Sequence, residues 1–296
     1  MTALHPTGVF SAALTPLTED LSPDLPVFVD HAKRLIAQGC DGVALLGTTG
    51  EANSFSADER KAILEAAVQG GVEPARLLPG TGVVAVPETV GLTKHALSLG
   101  VNTVVMLPPF YYKAPSEEGV IAAYSEIVER IGSPDLRVIL YHIPQMSAVP
   151  ITPGIIEALL RRYPHTFTGI KDSAGDLANM TMLVDRFPGF AVLAGADPLL
   201  LPLMRKGGAG CITATSNLVA ADLKFIFRHF NDPARAAEVD AAQARVVATR
   251  TLASRFAQMA SLKALLAQET GHAGWTRLRP PLLPLTAEES AQLLAS

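Results

Sequence analysis

The chain carries eight short apolar runs that do not alternate with polar residues, at residues 9–14, 42–46, 76–80, 103–107, 137–141, 166–171, 190–194 and 210–213. A strand with one wet face alternates, whereas a strand of a parallel sheet covered on both faces does not. Helical patterns with recognisable ends lie between the runs. Ser22-Pro23 opens one, with Phe28, Leu35 and Ile36 on one face and Gly39 just past its end. Ser56-Ala-Asp-Glu59 forms a capping box before Ile63, Leu64 and Ala67. Thr152-Pro153 supplies a cap and a first-turn proline before Ile155, Ile156, Leu159 and Leu160. Val120, Tyr124, Ile127, Val128 and Ile131 make a further stripe. Eight strand–helix units in series predict a TIM (β/α)8 barrel with extra C-terminal helices. The alternative, a doubly wound open sheet, should carry a Gly-rich dinucleotide turn after its first strand. This chain has Leu14-Thr-Pro-Leu17 there.

Size and charge agree with one large α/β domain. The 296 residues are 49% hydrophobic, and barrels of about 250 residues form single domains. Residues 1–220 read as the barrel and 221–296 as a helical appendage of the same domain, with helices over 221–230 and 233–268, a Pro-rich tail at 279–284 and a short amphipathic end. The net charge is −4. The basic doublets Lys33-Arg34, Arg161-Arg162 and Arg205-Lys206 fall late in amphipathic stretches, where they complement helix dipoles instead of building a nucleic-acid face. The two cysteines, Cys40 and Cys211, have no zinc or disulfide spacing and read as buried free thiols of a cytoplasmic chain. Residues 1–6 show no secretory pattern, and no apolar run reaches the roughly 18 residues of a membrane span.

In a barrel of this kind, active sites sit at the C-terminal ends of the strands. Of eight lysines, only Lys171 terminates an apolar strand. Burial there disfavours the ammonium form, and a neutral amine is what attack on a carbonyl requires. The alternative is an ion pair with Asp172. Gly47-Thr48-Thr49-Gly50 ends the second run; its glycines allow backbone amides to converge on an anion, and its hydroxyls add donors. Taken alone it is equally an ordinary turn. Tyr141 at the end of the fifth run has a hydroxyl that can relay a proton, or it is a packed aromatic.

Three motifs in order, each at a strand end, narrow these alternatives: Gly-Thr-Thr-Gly-Glu at 47–51, Tyr-x-x-Pro at 141–144 and Gly-Ile-Lys-Asp at 169–172. Together they resemble the dihydrodipicolinate synthase / N-acetylneuraminate lyase family of class I aldolases, from Gly8 to the Pro-rich tail. The resemblance implies a lyase that holds pyruvate or a pyruvate-derived keto acid as a Schiff base on Lys171 and joins it to, or cleaves it from, an aldehyde. It implies no metal or organic cofactor. Tyr141 matches the proton-relay tyrosine and Thr48 the hydroxyl linked to it. Thr49, with the Gly47 turn, matches the keto-acid carboxylate site. Ile212 matches a residue whose carbonyl faces bound pyruvate. Tyr112 matches a tyrosine lent by a neighbouring subunit, which implies a homo-oligomer, commonly a dimer of dimers.

The chain also departs from both main branches. Two residues after Pro144, where the lysine-pathway synthases carry an arginine for the aldehyde's carboxylate, stands Met146, which has no bidentate donors. The sialate-lyase Gly-x-Asp-Glu pattern reads Gly195-Ala-Asp197-Pro198, and the strand-eight serine position holds Ala214. His142 replaces the asparagine usual after the strand-five tyrosine. These differences point to another keto acid, such as a 2-keto-3-deoxy sugar acid, with Asp197 contacting a hydroxyl and His142 and Met146 near the substrate. Three other functions compete: lysine-pathway 4-hydroxy-tetrahydrodipicolinate synthase, a non-catalytic keto-acid binder, and a metal-dependent barrel lyase using Glu51, His142, Asp172 and Asp197.

Overall fold

The computed structural model describes residues 5–295. Residues 1–4, part of the stretch read for a leader, and Ser296 lie outside the described residues. Seven parallel strands form one curved sheet: β1 (Gly8–Ala12), β2 (Gly42–Ala44), β3 (Thr103–Met106), β4 (Arg137–His142), β5 (Phe167–Asp172), β6 (Ala191–Ala194) and β7 (Gly210–Thr213). Their order is β2-β1-β7-β6-β5-β4-β3.

The third apolar run fills the gap between β2 and β3 without becoming a regular strand. Leu78 N donates to Val43 O at 2.9 Å and Gly80 N to Leu45 O at 2.8 Å. On the other side, Thr81 N donates to Val105 O at 3.1 Å and Val105 N to Pro79 O at 3.0 Å. Pro79 has no N–H to give, so the ladder is interrupted there. The barrel thus has eight staves, of which seven are regular strands. Gly80 lets the stave close: a Cβ at this position would lie 2.1 Å from Leu46 O.

Strand parity explains why the runs look continuously apolar. Phe10, Ala12, Ala44, Leu78, Val105, Ile139, Tyr141, Leu193 and Ile212 pack together inside the barrel. Their chain neighbours, among them Val9, Val43, Val104, Leu140, Ile170, Val192 and Cys211, pack outward under the helices. Both faces are dry, so both are apolar.

Helix ends follow the sequence with one correction. Ser56 and Glu59 close the capping box of the helix Ala57–Gln69, Thr152 caps Pro153–Arg162, and the third stripe lies on Glu117–Ile131. The first helix, however, is Leu25–Ala37, capped by Asp24 and not by Ser22. The Ser22 hydroxyl donates to Asp20 Oδ2 at 3.1 Å and its carbonyl accepts from Thr18 N at 2.9 Å, so the preceding turn takes up its polar groups.

Beyond β7 a helix runs from Ser216 to His229, earlier than the pattern predicts, with a kink at Val219. The long helical stretch is two helices, Ala236–Ala253 and Gln258–Thr270. Ala253, Leu262, Leu266 and Trp275 bury themselves against Leu14 beyond the end of β1, which draws these helices over the barrel mouth. Cys40 and Cys211 are buried free thiols. No helix of the described residues is long and apolar enough to cross a membrane.

Candidate active site

The barrel mouth opens into two adjoining hollows, and Thr48, Tyr141 and Lys171 line both. The inner one reaches Gly47, Leu78, Val105 and Ile212. The outer one holds about 370 Å³ of open space and extends to Thr49, Met146, Ser173, Ala214 and Arg250, within the size range of small-ligand sites.

Strand register sets the centre. Tyr141 on β4 pairs directly with Lys171 on β5, and Lys171 pairs in turn with Leu193 on β6. All three side chains therefore point inward at one level. Gly169, two residues earlier on β5, lets β6 approach closely, since a Cβ there would meet Ala191 O at 2.6 Å. Lys171 is only 5% exposed, and its Nζ lies 4.3 Å from the Tyr141 ring centroid. It makes no ion pair among the described residues; in particular it is not paired with Asp172, which lies on the opposite strand face. The Asp172 carboxylate accepts from Ala174 N at 2.9 Å and Asn179 Nδ2 at 2.7 Å and so fixes the loop after Lys171.

Tyr141 and Thr48 share a hydrogen bond of 3.3 Å between hydroxyls. Burial alone would raise the phenol's pKa, but the Lys171 charge and the Thr48 hydroxyl outweigh it and hold the phenol below its ordinary value. A hydroxyl so placed can give up a proton as the phenol and, as the phenolate, take one from the neighbouring nitrogen.

The threonine turn is held in an unusual backbone. Leu46 and Glu51, which flank it, both have φ 57°, a conformation that costs a non-glycine residue roughly 1–2 kcal/mol. Gly50 is required because a Cβ would sit 2.7 Å from Ala13 O. Glu51 anchors the turn through a buried ion pair with Lys263 of the C-terminal helices, and Lys263 Nζ also donates to Arg277 O at 2.7 Å. The amides of Thr48 and Thr49 carry no hydrogen bond among the described residues. With the Thr49 hydroxyl they form a set of unspent donors at the cavity wall, suited to a carboxylate.

The remaining expected site residues divide. Gly47 and Ile212 line the inner hollow; Met146, 62% exposed, lines the outer rim. His142 does not belong to the cavity. One position after Tyr141, it points outward by strand parity, and its Nδ1 accepts from Ile151 N at 3.0 Å. Burial lowers its pKa despite the opposing effect of the Asp172 charge. Asp197 is sealed at 0% exposure, so it does not meet a substrate hydroxyl there; Arg250 stands 3.8 Å away. Tyr112, 76% exposed, packs edge-to-face on Tyr111, with neither ring lining the cavity of its own chain. Glu51, His142, Asp172 and Asp197 thus each have another place, and no group of three or more His, Cys, Asp or Glu among the described residues could hold a metal ion.

Sequence reading missed Arg60, Lys263 and Arg250. Arg60 lines the inner hollow, with Nη2 donating to Gly80 O at 2.8 Å; burial brings its pKa down to about 10. All three sit within helical patterns, where only the tertiary fold distinguishes them from surface charges.

A parallel barrel with a buried lysine, a hydrogen-bonded tyrosine–threonine pair and an anion-binding turn at its mouth defines a class I aldolase-type lyase. A profile of the Dihydrodipicolinate synthetase family matches residues 5–296, and the chain belongs to that family. It is 39% identical over 293 residues to an uncharacterised DapA-like lyase of Chloroflexus aurantiacus, covering 99% of this chain and 96% of that one. It is 32% identical to the 4-hydroxy-tetrahydrodipicolinate synthase of Listeria welshimeri, covering 97% and 96%. Among solved structures, dihydrodipicolinate synthase from Agrobacterium tumefaciens superposes with a TM-score of 0.87 at 29% identity, covering 98% and 97%. YagE from E. coli K12, solved in complex with pyruvate, superposes with a TM-score of 0.89 at 26% identity, covering 98% and 96%.

Proposed function

We propose that the protein forms a Schiff base between Lys171 and pyruvate, or a keto acid derived from it, and makes or breaks a carbon–carbon bond to an aldehyde. The observation that carries this reading is the Lys171 nitrogen, buried, free of any ion pair among the described residues and 4.3 Å from the ring of a tyrosine whose hydroxyl meets Thr48. In the condensing direction, Thr48 and Thr49 hold the keto-acid carboxylate. The neutral amine adds to the ketone carbon, and loss of water leaves a protonated imine. The imine draws electrons from the neighbouring carbon, whose proton departs to give an enamine. The enamine carbon attacks the aldehyde carbon, the new oxygen takes up a proton, and hydrolysis of the imine frees Lys171. Tyr141 carries the protons at the nitrogen, with Thr48 as its hydrogen-bond partner. Cleavage follows the same steps backward. The chemistry needs neither metal nor organic cofactor, because the imine itself is the electron sink.

A 2-keto-3-deoxy sugar acid suits the site as the longer substrate. Met146, Ala214 and Pro198 stand where the two better-known branches place their substrate-binding side chains. Lysine-pathway synthase activity is the second reading, supported by the resemblance to the Listeria synthase and opposed by Met146. The exposed Tyr111–Tyr112 pair supports assembly with a second copy, whose cavity Tyr112 would complete in a dimer of dimers. Enamine formation can be tested before the aldehyde is identified. Pyruvate in heavy water should lose its methyl proton signal when the protein is added, and Lys171→Ala should abolish the exchange. Exchange that persists undiminished in Lys171→Ala contradicts the proposal.

A further inference from the structure

Arg250 is the one arginine lining the outer hollow among the described residues. It comes from the helix Ala236–Ala253, outside the barrel staves. Its guanidinium has five donors, yet its only interaction among the described residues is the 3.8 Å approach to Asp197, beyond hydrogen-bond length. Neither carboxylate oxygen of Asp197 has a hydrogen-bond partner among the described residues, although the side chain is fully buried. Asp197 therefore holds the arginine by charge alone and leaves the guanidinium's donors unspent. Apart from Lys171, the rest of the outer wall is uncharged: Ile143, Gln145, Met146, Met259, Leu278 and Leu283 contribute to it.

We infer that Arg250 receives a second anionic group, a carboxylate or phosphate at the far end of the carbonyl partner. This inference rests on the Schiff-base reading only for which end of the substrate lies at Lys171. The keto-acid carboxylate belongs to the Thr48–Thr49 turn, so it leaves Arg250 free. An anion on the aldehyde half has no cationic partner at Met146, and in the outer hollow it meets Arg250. Arginine matches both groups, since its planar fork offers paired donors to carboxylate or phosphate oxygens. The favoured substrates are then diacids or phosphorylated acids, and simple neutral aldehydes are poorer partners.

The test compares binding of paired aldehydes by titration calorimetry, both on protein whose Lys171 has been capped by pyruvate and borohydride and on untreated protein. The pairs are succinate semialdehyde against butanal and glyceraldehyde 3-phosphate against glyceraldehyde. The anionic member of at least one pair should bind about tenfold tighter or more, the usual scale of a charge-assisted contact. Arg250→Gln should erase that margin and Arg250→Lys should keep part of it. Asp197→Asn should widen it, because it removes the opposing charge; a purely structural ion pair would show no such gain. The pair that shows the margin identifies carboxylate or phosphate. No margin in either pair, or a margin intact in Arg250→Gln, overturns the inference. Failure of pyruvate to cap Lys171 would strike the Schiff-base reading instead, and the untreated protein would still report on Arg250.

Discussion

Tyr141 and Lys171 are register partners on adjacent parallel strands, and the lysine nitrogen lies 4.3 Å from the centre of the tyrosine ring. Neighbouring inward positions of one sheet fix this pairing, so it depends on no flexible loop. Tyr141→Phe keeps the packed ring and removes only the hydroxyl that bonds to Thr48. The variant should fold with a stability loss of about 1 kcal/mol, while turnover and pyruvate proton exchange fall by about 10²- to 10⁴-fold, the range of a lost proton-transfer group. Steady-state kinetics beside a denaturant melt would show whether the two effects separate in this way.

The Glu51–Lys263 pair ties the carboxylate-binding turn to the C-terminal helices, and both side chains are fully buried. Burial lowers the Lys263 pKa, with the Glu51 charge working against that shift. Lys263→Met strands a buried carboxylate and should cost roughly 3–5 kcal/mol. Adding Glu51→Gln should restore more than half of this. Pyruvate KM should rise in the single variant more than in the double. Chemical denaturation of the four-protein cycle, with KM for pyruvate-dependent turnover, checks both statements.

His31 offers a pH prediction remote from the chemistry. It is buried with Nε2 donating to Asn217 Oδ1 at 2.8 Å, and burial pushes its pKa down to about 4. The unfolded chain binds this proton more readily than the folded one, near pH 6.5. The native advantage of neutral His31 is therefore complete above about pH 6.5 and disappears as pH falls toward 4. The stability change across this window should be about 3 kcal/mol. Thermal melts between those limits should show the decline, and His31→Gln should flatten it.

Met146 lies on the outer rim with 62% of its surface exposed. Met146→Arg places a guanidinium where the lysine-pathway synthases carry one. It should lower KM for carboxylated aldehydes several-fold without altering stability by more than about 0.5 kcal/mol. A panel of charged and neutral aldehydes, scored by kcat/KM, is the check.

The eight-stave barrel was legible because strands covered on both faces read as near-continuous apolar runs, and the Ser56–Glu59 capping box and the Thr152 cap marked where two of the intervening helices begin. Lys171, Tyr141 and the threonine turn could be placed together at the mouth because strand-end residues of a barrel converge, whereas the roles expected of them came from the family resemblance of their three motifs. His142 could also have been placed from sequence: it follows the inward Tyr141 by one residue, and a strand's two-residue period turns it outward. Pro79 likewise signalled that the third stave would not be a regular strand. Lys263 and Arg250 carried no such signal. Each looks like an ordinary helical surface charge until the helices after β7 fold back over the mouth. The break between Ala253 and Gln258 that permits this has no glycine or proline to announce it.

Borohydride reduction in the presence of pyruvate, followed by peptide mass mapping, addresses the proposed chemistry most directly. The account predicts a single reduced pyruvyl adduct on the peptide containing Lys171, absent from Lys171→Ala and undiminished by EDTA. Intact, folded protein that acquires no adduct at Lys171 would contradict it.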